Sequence, residues 1–311
     1  MRAIAFDGFG KAPSVHELPV PDPAAGELRV RVQASSLNAF DVLVANGYMK
    51  GRMEHRFPLI LGSDFAGVVD AAGPAVSSFR RGDPVFGVVS KPFLGRGAFA
   101  DFVNVSESVG VTRRPNRLPL SEAGALGLAG VTAHLTVEAL ALVPGETVLI
   151  VGATGGVGSL AVEMAVARGA RVIATARHGH AEYVRDLGAA ETVDPTGIPG
   201  AVRKLAPGGV QAVAHLAGDA RELATLVAPG GRFASTLGVG PDQLAGLPLT
   251  ATAIMAAMPP AELLDRLAKS VLEGKLRVPI LRTCSLDEVP QALKDFSSGG
   301  KLGKVAVAVG R

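Results

Sequence analysis

The sequence is poor in cysteine, in aromatic residues and in charge. It has one cysteine, Cys284, no tryptophan and two tyrosines among its 311 residues. A single cysteine excludes an intrachain disulfide framework and a cluster of thiolate metal ligands, and we expect Cys284 to be a buried apolar residue. Charged residues make up 19% of the chain, and the formal net charge is only +3. Because no block of lysine or arginine is present, a nucleic-acid-binding surface is not expected.

Long apolar runs and a targeting signal are lacking as well. No run reaches the roughly 18–20 apolar residues that a bilayer-spanning helix needs. The first ten residues, MRAIAFDGFG, lack a charged region followed by an apolar core. We therefore expect a cytoplasmic protein without a membrane partner. Hydrophobic residues (48%), 39 glycines and 21 prolines are abundant, which is typical of a well-buried α/β protein with many tight turns and room for two domains.

The segment Val148–Gly158, VLIVGATGGVG, is the most informative part of the chain. Four apolar residues predict a strand buried on both faces, a glycine-rich turn follows, and SLAVEMAVARG has the apolar period of a helix. This unit binds the pyrophosphate in dinucleotide folds, because glycine allows close backbone approach and the helix N-terminus attracts phosphate. The alternative is a strand, turn and helix without a ligand. The turn residues predicted to bind a cofactor are Ala153, which replaces the first glycine of G-x-G-x-x-G, Thr154, Gly155, Gly156, Val157 and Gly158.

The periodicity of apolar residues changes along the chain. In the first third, period-two alternation predicts a compact, partly barrel-like β domain, with strands that include Arg2–Phe6, Glu27–Ala34, Phe65–Ala71 and Val85–Val89. In the middle third, strands alternate with helices, which predicts right-handed βαβ units and a doubly wound parallel sheet. The strands predicted there are Thr147–Val151, Arg171–Ala176, Glu191–Val193, Gln211–His215 and Arg232–Thr236. The predicted helices are Ser159–Arg168, Ala181–Leu187 and Glu222–Val227, and Pro195–Gly200 is predicted to be a turn.

The last part of the chain returns to the pattern of the first. A helix is predicted at Ala261–Glu273, an extended segment at Val278–Arg282, a helix at Leu286–Asp295 and a strand at Lys304–Val309. The last strand alternates like the strands of the first domain. We therefore expect the tail to return to that domain.

The end of the second strand of the middle third indicates which cofactor binds. NAD-binding units place Asp or Glu there, about 20 residues after the glycines, to bind the ribose 2′-hydroxyl. In this chain RVIATAR (Arg171–Arg177) ends without an acid, and His178 follows Arg177. Because cations pair with a 2′-phosphate that a carboxylate would repel, we predict NADPH rather than NADH. Thr175 and Tyr183 are predicted to add hydrogen bonds, and the alternative for Arg177 is a solvated loop arginine.

Several segments together resemble one known family. They are SLNAFDVLVANG (Ser36–Gly47), PLILGSDFAGVV (Pro58–Val69), FRRGDPVFG (Phe79–Gly87), GVTAHLTV (Gly130–Val137), VLIVGATGGVGSLAVEMA (Val148–Ala165), GGRFASTLG (Gly230–Gly238) and GKLGKVAVAV (Gly300–Val309). Through these segments nearly the whole chain resembles the medium-chain dehydrogenase/reductase superfamily. Within the superfamily it resembles the zinc-independent NADPH:quinone oxidoreductase-like branch.

The resemblance implies a fold class and a domain arrangement. The fold class is α/β, with a doubly wound parallel Rossmann sheet and a GroES-like β-barrel catalytic domain. The expected boundaries are 1–116 for the first part of the catalytic domain, 117–273 for the NADPH-binding Rossmann domain and 274–311 for the return segment of the catalytic domain. The resemblance also implies a homodimer, often formed by edge strands of two Rossmann sheets. Leu249–Met255 (LTATAIM) is the candidate edge, and the alternative is an internal strand.

The resemblance also implies that zinc is absent. Zinc alcohol dehydrogenases of the superfamily hold the metal with a Cys, a His and a nearby acid, but their G-H-E motif reads Gly62-Ser63-Asp64 here and their catalytic Cys position is Asn38. Asp64 alone does not supply the three or four ligands that Zn²⁺ requires. The histidines lack a ligand spacing, and we expect His16, His55, His134 and His215 to be structural or surface residues.

Without a metal, a conjugated acceptor such as a quinone or an α,β-unsaturated carbonyl is expected, and its enolate must be stabilised and protonated. The resemblance implies catalytic roles for Asn38 and Asp41, which match an N-x-x-D position, and for Tyr48, which lies near the tyrosine proton donor of enoyl reductases. It also implies that Thr132 lies near the nicotinamide. The alternatives are a loop-fixing pair, a cleft-lining aromatic residue and a helix-interior threonine, respectively. The predicted cofactor-binding residues are completed by Leu216, Ala217, Leu237 and Gly238.

The main functional hypothesis is an NADPH-dependent oxidoreductase that transfers a hydride to a small-molecule quinone or α,β-unsaturated carbonyl. Two alternatives stay open at this point. One is a stand-alone enoyl reductase of polyketide or fatty-acyl assembly. The other is a non-catalytic NADPH-binding protein, either a redox sensor or a structural protein.

Overall fold

The computed structural model of the chain describes residues 1–256, 258–297 and 302–310, with the side chain of Ser297 excepted. Gly300 and Lys301, which begin the segment Gly300–Val309, therefore lie outside the described residues. Within the described residues, no helix combines the length and the apolar character needed to span a bilayer.

The described residues form both strands and α-helices. The strands are β1 (Arg2–Phe6), β2 (Ser14–Glu17), β3 (Glu27–Ser36), β4 (Glu54–Ile60), β5 (Asp64–Ala72), β6 (Pro84–Val88), β7 (Phe93–Arg96), β8 (Phe102–Ser106), β9 (Val111–Arg113), β10 (Thr147–Val151), β11 (Arg171–Thr175), β12 (Glu191–Val193), β13 (Val210–His215), β14 (Val227–Ser235), β15 (Leu249–Ala253), β16 (Ile280–Ser285) and β17 (Lys304–Ala308). The α-helices are α1 (Ala39–Ala45), α2 (Leu120–Ala139), α3 (Gly156–Ala167), α4 (Ala181–Asp186), α5 (Ile198–Leu205), α6 (Ala220–Ala224), α7 (Ala261–Leu272) and α8 (Val289–Ser297).

The chain divides into two compact units. The first unit comprises residues 1–131 and the described parts of 257–274 and 280–311, and the second comprises residues 132–256 and 275–279. The domain boundaries that the family resemblance implies, 1–116, 117–273 and 274–311, stay a prediction.

Two β-sheets build the first unit. One has the strand order β2-β1-β4-β7, and the other has the order β16-β17-β3-β5-β6-β9, with β8 also paired to β3. The last strand of the chain therefore lies antiparallel beside β3, with Ala306 opposite Ser36. The apolar core of this unit includes the fully buried rings of Phe6, Phe65 and Phe99.

One parallel sheet builds the second unit. Its strand order is β12-β11-β10-β13-β14-β15, and every neighbouring pair is parallel. The chain runs outward from β10 to β12 and then crosses back to β13 on the other side of β10, which is the doubly wound order predicted from the sequence. Val148 and Leu149 in β10 are fully buried, because a central parallel strand is covered on both faces.

One predicted turn is wrong in part. Pro195–Gly200 was expected to be a turn, but helix α5 begins within it, at Ile198. Ile198 and Val202 lie four residues apart and are both buried, so they form one apolar helix face. Pro199 lies in the first turn of α5, where its missing N–H has no intrahelical acceptor to lose.

The candidate dimer strand lies at an edge of the parallel sheet. Among the described residues, β15 is the terminal strand of its sheet and pairs only with β14. Leu249–Met255 is thus confirmed as an edge strand, although the strand ends at Ala253.

The apolar periodicity of the sequence does not predict helix α2. This helix contains Gly124 and Gly127, and each glycine disfavours a helix by about 1 kcal/mol. The structure shows why glycine is needed there. A Cβ on Gly124 would lie 2.9 Å from the backbone carbonyl carbon of Ala34, and one on Gly127 would lie 2.8 Å from Oδ1 of Asp64. The two glycines therefore let α2 approach β3 and β5 closely.

Candidate functional site

The parallel strands of the second unit end at one edge of their sheet. The predicted cofactor-binding residues that follow the ends of β10, β11, β13 and β14 are residues 153–158, Arg177, His178, Leu216, Ala217, Leu237 and Gly238. The chain reverses its winding between β10 and β13, and doubly wound sheets bind ligands in the crevice at this switch point. The sheet thus brings together most of the predicted cofactor-binding residues.

The turn between β10 and α3 has the backbone geometry of a phosphate cradle. Gly152 has a φ of +89°, which favours glycine. A Cβ on Gly158 would lie 2.2 Å from the carbonyl oxygen of Gly152, whereas a Cβ on Gly155 would lie 3.6 Å from it. Gly158 therefore lets the helix pack tightly against the turn, and Gly155 leaves open space before the helix. The first N–H groups of α3, from Gly156 on, have no intrahelical acceptors, so they are available to an anion.

Two predicted cofactor-binding residues support this turn from behind. Oγ1 of Thr175 accepts a hydrogen bond of 2.9 Å from the N–H of Gly152. The hydroxyl of Ser159 donates to the carbonyl oxygen of Gly155 at 2.9 Å, so the Tyr183 hydroxyl, 2.8 Å away, donates to Ser159. Burial raises the pKa of Tyr183. Thr175 and Tyr183 thus make hydrogen bonds within the protein, to Gly152 and Ser159. Their direct contact with a cofactor stays a prediction.

The end of β11 carries two exposed basic residues with an acid nearby. The side chains of Arg177 and His178 are both exposed. Asp194, directly after β12, interacts electrostatically with both, and hydrogen bonds from the hydroxyl and the N–H of Thr196 hold the pKa of Asp194 below its ordinary value. His178 and Asp194 also line a cavity of about 430 Å³. Asp194 is not among the predicted site residues, because the cofactor pattern concerns the end of the second strand. The available signal is an acid directly after the third predicted strand, Glu191–Val193.

His215 connects the loops after β13 and β14. It is 1% exposed, its Nε2 donates to the carbonyl oxygen of Gly218 at 3.1 Å, and its Nδ1 accepts from the hydroxyl of Ser235 at 2.9 Å. Oγ of Ser235 in turn accepts from the N–H of Leu237 at 3.1 Å. Burial lowers the pKa of His215, which favours the neutral ring. His215 is therefore a structural histidine, as predicted, and it orders two loops that carry candidate cofactor-binding residues.

A buried charged network lies in the first unit. Lys304 in β17 is 3% exposed, Asp64 in β5 is fully buried, and Nζ lies 3.3 Å from Oδ2. The same Oδ2 accepts from the Ser36 hydroxyl at 2.6 Å and from Nδ2 of Asn38 at 2.8 Å. Oδ1 of Asp64 accepts from the N–H of Leu128 in α2 at 2.6 Å. The network thus joins β3, β5, α2, β17 and the start of α1.

Asp41 lies beside this network in the first turn of α1 and is 2% exposed. Its Oδ2 accepts from the N–H of Asn38 at 2.8 Å and its Oδ1 from the N–H of Gly62 at 3.2 Å. Burial raises the pKa of Asp41 to about 7 against the effect of the Asn38 hydrogen bond, and the charges of Asp64 and Lys304 act in opposite directions. These contacts favour the loop-fixing alternative for Asn38 and Asp41, and their contact with substrate stays a prediction.

The remaining candidates lie in different surroundings. Tyr48 follows α1 and is 66% exposed. Thr132 is half-buried in α2, and its carbonyl oxygen accepts a hydrogen bond of 2.7 Å from the Thr136 hydroxyl. Lys304 was not among the predicted site residues. The available signal was a charged residue at the start of the otherwise apolar run KVAVAV, which includes residues buried in β17.

Two family models match the chain. The alcohol dehydrogenase GroES-like domain matches residues 24–116, and the zinc-binding dehydrogenase model matches residues 156–256. The chloroplastic quinone-oxidoreductase QR1 of Triphysaria versicolor is 30% identical over an alignment that covers 99% of this chain and 98% of that protein. The chain belongs to the quinone oxidoreductase-like branch of the medium-chain dehydrogenase/reductase superfamily.

Other members of the superfamily extend the comparison. A mycocerosic acid synthase-like polyketide synthase of Mycobacterium tuberculosis is 32% identical over 99% of this chain but only 15% of its own length. The structure of a Coxiella burnetii quinone oxidoreductase is 27% identical with a TM-score of 0.90, and covers 100% of this chain and 99% of its own. The structure of a mycobacterial protein complexed with NADPH is 25% identical with a TM-score of 0.87, and the match covers 99% of this chain and 100% of that one. The predicted α/β fold, with a Rossmann-like parallel sheet and a GroES-like domain, is confirmed.

The name of the second family model raises the question of a zinc ion. Among the residues that the structure describes, no group of three or more His, Cys, Asp or Glu side chains is arranged to hold a metal. Asp64 already accepts from Ser36, Asn38 and Lys304, and the ammonium group beside it repels a cation. Cys284 is 4% exposed within the apolar core, as predicted, and burial raises the pKa of its thiol. These donors do not fit zinc.

Proposed function

We propose that the protein is an NADPH-dependent oxidoreductase that transfers a hydride to a quinone or an α,β-unsaturated carbonyl without zinc. The observation that carries the proposal is the glycine turn before α3, where backbone donors and open space lie at the switch point of a parallel sheet. The similarity to quinone oxidoreductases supports the reaction class. The mycobacterial structure with NADPH supports the cofactor.

In this proposal the second unit binds the cofactor. The backbone N–H groups at the start of α3, from Gly156 to Gly158 in the turn of residues 153–158, bind the diphosphate, and Arg177 and His178 pair with the 2′-phosphate. The loops at 216–217 and 237–238, which His215 and Ser235 hold in place, lie beside the nicotinamide half. The bound cofactor supplies the hydride, and the protein orients it and excludes water.

The acceptor takes up a hydride and then a proton. Hydride addition to a conjugated acceptor places negative charge on its carbonyl oxygen, which a hydrogen-bond donor must stabilise. We propose Tyr48 as the proton donor, because it is 66% exposed and lies near the tyrosine proton donor of the enoyl reductases that the sequence resembles. Asn38 and Asp41 hold the segment that leads to α1 and Tyr48. Thr132 is proposed to lie beside the nicotinamide.

The proposal extends to assembly and location. The edge strand β15 is the proposed contact of a homodimer, and Met255, just after it, is 80% exposed. A cytoplasmic location rests on the sequence alone, and the Triphysaria relative carries a chloroplastic name.

Binding measurements and an acceptor panel test the proposed function. NADPH and NADH are titrated into the purified protein by calorimetry, and NADPH oxidation is followed by absorbance with a series of quinones and enones. We expect tighter binding of NADPH than of NADH and oxidation that depends on the acceptor. Binding of neither dinucleotide would overturn the proposal. Tight NADPH binding without turnover of any acceptor would instead support the redox-sensor alternative.

A second candidate is an enoyl reductase of acyl or polyketide assembly. It is favoured by the match between 99% of this chain and a segment of a polyketide synthase. Such an enzyme reduces enoyl thioesters carried on a phosphopantetheine arm, so enoyl-pantetheine thioesters belong in the same acceptor panel. A higher kcat/KM for these thioesters than for every quinone would select the second candidate.

A further inference from the structure

The ammonium group of Lys304 is fully used inside the first unit. It donates to Oδ1 of Asn38 at 2.7 Å, to the carbonyl oxygen of Leu37 at 3.2 Å and to Oδ2 of Asp64 at 3.3 Å. An ammonium group carries three hydrogens, and these three acceptors match them. A buried charge is tolerated only when it is paired and hydrogen-bonded. The three acceptors must therefore stay close to the ammonium group for the folded state to be stable.

The side chain of Asn38 is the main point on which Lys304 acts. Its Oδ1 accepts from Lys304, while its Nδ2 donates to Oδ2 of Asp64 at 2.8 Å and to the carbonyl oxygen of Ser36 at 3.2 Å. Its backbone N–H donates to Asp41. Each polar group of the Asn38 amide therefore has a partner, and the turn of residues 36–41 is held in one conformation.

This turn determines where helix α1 begins. The helix has seven residues, of which only Asp41 and Val44 are buried. A helix this short has little stability of its own and depends on its tertiary contacts. Tyr48 follows the helix closely, and the N–H of Tyr48 donates to the carbonyl oxygen of Leu43 in its last turns. A shift of the turn at 36–41 would therefore be transmitted to Tyr48.

We propose that Lys304 is a positioning residue, which through Asn38 and Asp64 fixes the turn of residues 36–41 and with it helix α1 and Tyr48. The inference rests on the proposed reductase function for its kinetic consequence only. Its structural consequence, the order of residues 36–48, stands independently of any substrate.

The charges of Lys304 and Asp64 act on the pKa of Asp41, which a loss of packing alone would not change in opposite directions. Among the described residues, the charged groups that act on Asp41 are Asp64, which raises its pKa, and Lys304, which lowers it. Lys304→Met should therefore move the pKa of Asp41 upward, and the second change Asp64→Asn should move it back. A pH profile of kcat/KM that follows these opposite directions distinguishes positioning by charge and hydrogen bonds from the loss of side-chain volume.

The experiment compares Lys304→Met, the charge-neutral pair Lys304→Met/Asp64→Asn and the control Lys91→Met. Lys91 pairs with Glu27 at 2.6 Å in the same unit and lies near the ring of Phe93, so its described partners are outside residues 36–41. Amide hydrogen exchange of residues 36–48, the NADPH dissociation constant and the pH profile of kcat/KM with a naphthoquinone are measured on the full chain. For Lys304→Met we expect about tenfold faster exchange and about tenfold lower kcat/KM, with NADPH affinity within about twofold of the unmodified protein.

The neutral pair keeps the proposal testable if Lys304→Met alone does not fold. Removing both charges restores neutrality, but Oδ1 of Asn38 still lacks its lysine donor. We therefore expect the pair to fold and still to show fast exchange at 36–48. The control Lys91→Met should fold and show the exchange of the unmodified protein at 36–48. Unchanged exchange at 36–48 in both Lys304 variants would overturn the proposal. Fast exchange in a protein that reduces no acceptor would uphold the positioning role and count against the proposed function alone.

Discussion

Each unit of the molecule contains a buried polar network, and the two networks differ in charge. In the second unit, His215 is neutral and connects β13 to β14 through Ser235 and the carbonyl oxygen of Gly218. In the first unit, Asp64 and Lys304 form an ion pair, and the two residues are separated by 240 positions along the chain. The neutral network orders loops of adjacent strands, whereas the charged network collects segments from both ends of the sequence.

The difference shows what each kind of network contributes. Neutral hydrogen bonds cost little to bury and are worth about 1 kcal/mol each. A buried ion pair has a large desolvation cost that its attraction only roughly offsets, but losing one partner leaves an uncompensated charge. The charged network of the first unit is therefore expected to add little net stability while strongly penalising any other arrangement of residues 36–41, Asp64 and Lys304.

The largest effect is expected from breaking the charged network. Asp64→Ala leaves the buried ammonium of Lys304 without its hydrogen-bonded carboxylate, and we expect a loss of about 3–5 kcal/mol in the free energy of unfolding. Ser235→Ala, the matched change in the neutral network, should lose about 1–2 kcal/mol. Urea unfolding of both variants measures the two values. Equal losses would contradict the contrast between the networks.

The second effect concerns the close backbone packing of the glycine turn, in contrast to the polar side chains of the two networks. Gly158→Ala places a Cβ 2.2 Å from the carbonyl oxygen of Gly152, so α3 must move away from the turn. We expect NADPH affinity to fall about 100-fold, or about 2.7 kcal/mol. Gly200→Ala in α5 is the control, because its Cβ would meet nothing within 4 Å. A titration in which the two variants bind NADPH equally would remove the cradle from the proposed site.

The pH response of the first unit should be set by Asp41. Its pKa in the folded protein is about 7, above the unfolded value near 3.8. The folded state therefore binds the proton more tightly, so the stability contributed is fully present below pH 3.8 and is lost as the pH rises through about 7. Asp41→Asn should flatten this decline in unfolding experiments at a series of pH values, and the exposed Asp242→Asn should not. A decline that persists in Asp41→Asn would assign it to another group.

The second unit should respond to pH in the opposite direction. Burial holds the pKa of His215 below 6.5, so the folded state binds the proton less tightly than the unfolded chain. The stability that neutral His215 contributes is present above pH 6.5 and is lost as the pH falls through the folded-state pKa. His215→Asn should remove this acid-side loss, which unfolding curves at decreasing pH would reveal. The same loss in His215→Asn and in the unmodified protein would show that His215 does not cause it.

The smallest effect is expected from the exposed Arg177 of the second unit. Arg177→Ser removes a charge that is proposed to pair with the 2′-phosphate, and we expect about tenfold weaker NADPH binding with NADH binding unchanged. Arg203→Ser, an exposed arginine of α5, is the matched control. Calorimetric titration with both dinucleotides measures the change. Equal weakening for NADPH and NADH would assign Arg177 to a part of the cofactor that the two share.

The sequence predicted the second unit more completely than the first. Parallel strands covered on both faces read as apolar runs, and β10 and β12 have the predicted bounds. Helix α2 was not predicted, because its glycines oppose helix formation locally. Only the close approach of α2 to β3 and β5 explains them. The turn predicted at Pro195–Gly200 was wrong in part because Pro199 is compatible with the first turn of a helix.

The sequence by itself determined the local units of the protein: the strand, glycine turn and helix at 148–158, the missing acid after β11 and the motifs of the family. These features depend on residues close together in the chain, where backbone conformation and apolar period are set. Only the tertiary structure decided the partners of Lys304, because β17 must first pair with β3 to bring residue 304 beside residues 38 and 64. The physical reason is that a buried charge selects its counter-charge by distance in space, which separation along the chain does not predict.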